Sequence, residues 1–274
     1  MRKRNTINTF FILLFITCLI IFLNSFLNII KWDKENRKTL EKSNELQNMV
    51  NISEVNDNQV NTILISSDDE KDDSNYWYYT KMNLMNVNID NLFNQNNDIV
   101  GWINVPGTNI DYPFVQTKDN KFYLNHSFDK KYNDAGWIFL DYRNDINNLS
   151  KNNIIYGHAR IDKTMFGSLR NTLKKEWFNN INNRIVKIST PKQNTLWQVF
   201  SIYHIKTEPY YIAVNFNNEN DFQKYIDKSL KRSVYNFNVN INTSDTILTL
   251  STCYGENEKL VLHAKLIKKE IKNP

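Results

Sequence analysis

The sequence predicts a mostly β fold: a closed, mostly antiparallel barrel with helices attached, preceded by an N-terminal transmembrane helix. Three observations lead there. Residues 10–30 form an apolar run broken only by Thr17, Cys18, Asn24, Ser25 and Asn28. Beyond Val100 short apolar runs alternate with Gly, Pro and Asn, the pattern of strands joined by turns. Residues 246–267, TILTLSTCYGENEKLVLHAKLI, read as two strands about a turn at Gly255 and Asn257, with Cys253 where the first strand ends.

Taken in order, the 21 residues of the apolar run, at about 1.5 Å each, are long enough to cross a bilayer core of about 30 Å. Arg2, Lys3 and Arg4 precede it, so the N-terminus is expected in the cytoplasm and the remainder outside. No small-x-small cleavage site follows, which favours an uncleaved signal anchor over a signal peptide. Residues 1–31 are thus expected to be a cytoplasmic tip and anchor. Residues 32–75 are expected to be an extracellular helix, to about Leu46, and a polar linker containing SSDDEKDDS that holds a domain off the membrane.

Residues 76–274 are the expected catalytic domain. Its first stretch places Tyr78, Met82, Met85, Ile89 and Leu92 at helical spacing, so residues 76–93 are expected as one helix, with Trp77 and Tyr79 packing beside it. The segments VGWINV, NIDYPFV, GWIFLDY and NNIIYGH then read as strands, followed by a helical piece at 165–178. RIVKIST and LWQVFSIYHI resume the strands around a turn at 191–194, and residues 221–234 form a last helix before the Cys253 strands.

With 41% hydrophobic and 13% aromatic residues the chain has enough apolar matter for a sizeable core. A net charge of +5 is scattered among acidic and Asn residues and makes no basic stripe, which excludes nucleic acid as an expected partner. The two cysteines, Cys18 in the apolar run and Cys253, are too far apart to pair and too few for a zinc cluster. Cys253 is therefore expected as a free thiol outside the membrane, where oxidation makes an idle thiol a liability, so its presence points to chemistry.

A thiol becomes a good nucleophile beside a cation, most often histidine. Of His126, His158, His204 and His263, His158 is the best placed, because Ile154 and Ile155 anchor the strand behind it and Gly157 lets the backbone turn just before the imidazole. It precedes Cys253 by 95 positions, whereas papain-like proteases place the cysteine first, and no Gln-Ala-Cys caspase signature surrounds Cys253. The chemistry these residues suit is thiolate attack on an acyl carbonyl, with the oxyanion held by donors and a second nucleophile resolving the thioester.

Three segments, VPGTNIDYPFVQTKDNKFYLNHSFDKKYNDAGWIFLDYRN, NNIIYGHARIDKTMFGSLR and TLSTCYGENEKLVLHAKLI, together resemble class B sortases, the membrane-anchored cysteine transpeptidases of Gram-positive bacteria. The resemblance spans about residues 100–267. It implies an eight-stranded sortase barrel with His158 and Cys253 facing each other across a groove. Cys253 would attack the threonine carbonyl of an NPQTN-like signal at the C-terminus of a secreted protein, and a peptidoglycan amine would release the thioester. Neither a metal nor any other cofactor is implied. His158 would be general acid to the leaving amine and, as imidazolium, partner to the thiolate.

Lys259 falls where the family carries its third catalytic residue, an arginine, and the turn from Tyr254 to Glu258 is short for the family. Lysine keeps the charge but loses the planar fork. Either Lys259 serves as a weaker oxyanion donor, or a backbone amide after Cys253 takes more of that role, or activity is low. The same resemblance places Asn120 and Leu124 on a short helix in the substrate groove, Thr207, Tyr211 and Ile212 on the loop covering the signal peptide, and Ser251 at the groove border. Tyr156, Phe166 and Trp197 are expected in the core. The alternatives to a transpeptidase are a degenerate, non-catalytic peptide-binding module and a thiol hydrolase using the same residues.

Overall fold

The computed structural model describes residues 2–55, 61–65, 74–254 and 257–272. Residues 66–73 of the SSDDEKDDS run and Gly255 of the cysteine turn lie outside them.

A single helix, α1 (Arg2–Asn48), carries both the apolar run and the charged turns after it. Its apolar side chains stand exposed, Phe15 at 68%, and it is long and apolar enough to cross a membrane. Its last turns bury Thr39, Ser43 and Leu46. Gln47 Nε2 donates to the Asp111 carbonyl at 2.9 Å, Asn133 Nδ2 to Thr39 Oγ1 at 3.1 Å, and Lys42 Nζ to Gln95 Oε1 at 2.7 Å. The end of the helix is therefore docked on the barrel.

The stretch expected to be a linker contributes two strands, β1 (Ile52–Val55) and β2 (Thr62–Leu64). The single helix expected over 76–93 is divided into α2 (Ser74–Thr80), β3 (Leu84–Val87) and α3 (Asp90–Phe93). β3 pairs antiparallel with β1, Ile52 opposite Val87. Asn residues at 83, 86 and 88 disfavour a helix interior, and Asn88 Oδ1 accepts from the Asp90 amide at 2.9 Å to make a local turn. A helical spacing of apolar residues yielded here to a strand partner about 30 positions upstream. Tyr79 is buried as expected, but Trp77 is 40% exposed.

The barrel proper consists of β4 (Ile99–Asn104), β5 (Asp111–Val115), β6 (Phe139–Leu140), β7 (Asn152–Tyr156), β8 (Ile185–Ser189), β9 (Gln193–Lys206), β10 (Ile247–Tyr254) and β11 (Glu258–Ile271). Around the circuit the order is β4, β5, β6, β7, β10, β11, β9, β8 and back to β4. It closes with eight strands, and β2 adds outside the circuit at the C-terminal end of β11. The β5–β6 and β7–β10 pairings are parallel and the others antiparallel. Trp102, Phe114, Phe128, Trp137, Phe166 and Trp197 fill the interior with no exposed surface, Phe166 and Trp197 as expected.

The excursion at 165–178 holds a short 3₁₀ helix and α4 (Lys175–Asn179), and the last helix is α5 (Glu219–Arg232). Asn218 caps α5 by accepting from the Asp221 amide at 2.9 Å, with Glu219 and Asp221 in the first turn and Lys231 and Arg232 in the last, matching the helix dipole. Phe222, Tyr225, Ile226 and Ser229 recur at helical spacing and are buried. Phe222, Tyr225 and Ile226 pack with Phe200 of β9 and Ile247 of β10. α5 thereby braces the strand that ends at the cysteine.

His263 lies inside this wall. Its Nε2 is 2.7 Å from the Tyr203 hydroxyl and its Nδ1 2.9 Å from Thr249 Oγ1, with no exposed surface. Burial pushes the imidazole down to about 3 from 6.5. The folded state keeps it neutral while the unfolded chain takes up a proton below pH 6.5, so this residue lowers stability progressively as pH falls from about 6.5 to 3 and is without effect above. His263→Gln should lose that part of the acid dependence. Thermal midpoints of both proteins across this range check it, and parallel curves would count against it.

Candidate active site

The parallel pairing of β10 with β7 ends at Ser251 opposite Tyr156, with the Gly157 amide donating to the Ser251 carbonyl at 3.3 Å. Beyond that point the two chains part. Gly157 has no side chain because a Cβ there would lie 2.7 Å from the Phe166 ring. The divergence leaves Cys253, next to last in β10, half-buried at the rim as a free thiol.

β11 returns antiparallel beside β10 and sets Lys259 directly opposite Cys253. Residues opposed in this way project to the same face. Lys259 Nζ accordingly lies 3.1 Å from Cys253 Sγ, so the lysine points into the site.

His158 follows Gly157 and reaches the same groove. Its Nε2 is 2.6 Å from the Leu124 carbonyl oxygen. A carbonyl only accepts, so this contact places a proton on Nε2. Gly136, at φ 60°, lies behind the ring: a Cβ there would come within 2.9 Å of His158 Cδ2 and of the Leu124 oxygen. The other three histidines take other places. His126 stacks on Phe122, His204 is exposed 3.4 Å from Glu258, and His263 is in the wall.

The groove encloses about 290 Å³. Asn120, Leu124, Tyr211, Ile212 and Ser251, expected as substrate contacts, line it together with His158, Cys253 and Lys259. Thr207 stands apart: its amide and hydroxyl both donate to the Asn257 carbonyl, at 3.0 and 3.2 Å, so it ties the loop after β9 to the cysteine turn. Ser251 Oγ donates to the Tyr211 hydroxyl at 3.4 Å, and burial pushes the Tyr211 phenol up.

Sequence reasoning missed Phe139, Thr252 and Tyr156 as groove residues. Tyr156, expected in the core, is half-buried; its ring lines the groove and its hydroxyl donates to Asp141 Oδ2 at 2.9 Å. Its position at a strand end just before Gly157 and His158 was the available signal. Among the described residues no group of three His, Cys, Asp or Glu could hold a metal ion.

A thiol touching a fixed cation, with an imidazole in the same open cleft, is equipped for acyl transfer through sulfur. Residues 103–267 match the Sortase domain. The chain is 41% identical over 177 residues to sortase B of Staphylococcus aureus, covering 63% of this chain and 72% of that one. It is 39% identical over 178 residues to sortase B of Listeria monocytogenes, covering 64% and 72%. Among solved structures it resembles the S. aureus sortase B-substrate complex, with a TM-score of 0.61 and 38% identity over 66% of this chain and 84% of that one. Sortase B from B. anthracis in complex with AAEK1 gives a TM-score of 0.61 and 34% identity over 71% and 93%.

The chain belongs to the sortase family, as a sortase B-type cysteine transpeptidase.

Proposed function

We propose that the chain cleaves an NPQTN-like sorting signal after its threonine, holds the acyl fragment as a thioester on Cys253, and passes it to a peptidoglycan amine. The observation that carries this is the 3.1 Å contact of Lys259 Nζ with Cys253 Sγ inside a groove that also holds His158. Lys259 Nζ is the cation in contact with that sulfur. The thiolate adds to the threonine carbonyl, Lys259 stabilises the oxyanion as it forms, and His158 protonates the departing amine as the C–N bond breaks. An incoming amine then gives a proton to His158 and displaces the sulfur, so one amide replaces another with no net oxidation. Asn120, Leu124, Tyr211, Ile212 and Ser251 bind the signal peptide, and Thr207 holds the loop over it. In support, solved sortase B structures contain a bound substrate and a bound triglycine.

In this reading residues 1–31 anchor the enzyme with its N-terminus inside and residues 76–274 catalyse outside. Only eight helical steps, about 12 Å, separate Lys31 from the docked Thr39, which keeps the barrel close to the bilayer. The test is a fluorogenic NPQTN peptide offered with and without triglycine. Cleavage with formation of the triglycine adduct is expected. Hydrolysis alone would make the chain a thiol hydrolase, and binding without turnover would favour the degenerate module that Lys259 in the arginine position suggests.

A further inference from the structure

Asp141 has no exposed surface, yet it remains a carboxylate. Burial opposes its charge, but donors outweigh burial and hold it below the ordinary carboxylate range. Arg143 Nε and Nη2 grip it as a fork at 2.8 and 2.7 Å, and the Arg143 amide adds a bond at 3.0 Å. Asn120 Nδ2 and the Tyr156 hydroxyl each reach Oδ2 at 2.9 Å. Arg143 Nη2 then continues to the carbonyl of Ile212 at 2.9 Å. One carboxylate thus touches two groove residues directly and the cover loop through one arginine, although neither Asp141 nor Arg143 lines the groove.

Asn120 is also fixed in orientation. Its Oδ1 accepts from the Tyr142 amide at 3.0 Å while Nδ2 gives one hydrogen to Asp141. A flipped amide would set donor against donor and acceptor against acceptor. Among the described residues the second Nδ2 hydrogen meets no acceptor, and Asn120 lines the groove, which suits a carbonyl oxygen on the bound peptide.

We propose that Asp141 and Arg143 are positioning residues: Arg143 latches the cover segment 210–213 to the opposite wall, and Asp141 fixes Asn120 as a donor, so that the peptide groove is preformed. The role in binding rests on the function proposed above; the latch itself does not.

The test uses the full chain in detergent with Arg143→Met, which keeps the aliphatic stem, and Arg143→Lys. Amide hydrogen exchange at 210–213 is expected to quicken about tenfold or more in Arg143→Met, with β9 and β11 unchanged, because a charge-assisted bond is lost. KM for the peptide should rise about tenfold with kcat within about threefold, and Arg143→Lys should recover part of both. The rate of Cys253 alkylation by iodoacetamide should not change. Unchanged exchange at 210–213 in both variants overturns the latch, and a fall in kcat at constant KM overturns the positioning role. If the wild type fails to turn over the peptide, the proposed function fails while the exchange result still decides the latch. If Arg143→Met does not fold, the same exchange comparison in Arg143→Lys decides it.

Discussion

Turnover of the sorting-signal peptide should drop to background, by about 10⁴-fold or more, when Cys253 is replaced by alanine. The other cysteine, Cys18, lies in the apolar run of α1, far along the chain from the groove. Without Sγ, Lys259 and His158 still line the groove, but the thiol that would take up the acyl group is gone. Cys253→Ser should be nearly as inert, since a hydroxyl is far less acidic than a thiol and needs a general base, which an ammonium is not. Mass spectrometry of the wild type mixed with peptide should show a covalent adduct at Cys253 that both variants lack. Cleavage surviving in Cys253→Ala would remove the cysteine from the mechanism.

The second large effect is expected at Lys259. Lys259→Ala should lower turnover by about 10²-fold or more, the usual loss when one oxyanion donor is removed. The ladder position opposite Cys253 fixes the cation, so the loss should fall on kcat more than on KM. Lys259→Arg should preserve or raise activity. An ammonium's donors have no fixed direction, whereas a planar guanidinium fork can hold sulfur and oxyanion together in one set geometry. Equal rates for the wild type and Lys259→Ala would pass the role to a backbone amide after the cysteine.

Cys253 at a strand end, His158 after its glycine and the strand pair around the cysteine were legible in the sequence because each depends on neighbours along the chain. A run of β formers ends at Cys253, Gly157 precedes His158, and a six-residue return brings Lys259 opposite the thiol. What escaped notice depends on distant partners. Residues 76–93 keep a helical period, but β1 and the buried Lys268, whose Nζ donates to the carbonyls of Thr80 and Met82 at 2.7 and 2.9 Å, impose a break. The segment LDYRN reads as an ordinary polar turn. Only the fold reveals that Asp141 turns inward and gathers Asn120, Tyr156 and Arg143. Tyr156 was misplaced for the same reason, since large aromatic residues are mostly buried and nothing local signals a hydroxyl tied to an inward carboxylate.

The parallel seam of β7 and β10 also bears on how the enzyme comes into being. Asn152 meets Ile247 across 95 intervening steps of chain, a contact of high sequence separation, whereas β10 and β11 form a local hairpin. Loop closure of that span is slow, so the hairpin is expected to form before the seam. A nascent chain would then carry its thiol beside the lysine early, while the imidazole arrives only with the final closure. Acquisition of transpeptidase activity would therefore report the last step of folding, and a newly made chain would stay chemically silent until the barrel is complete.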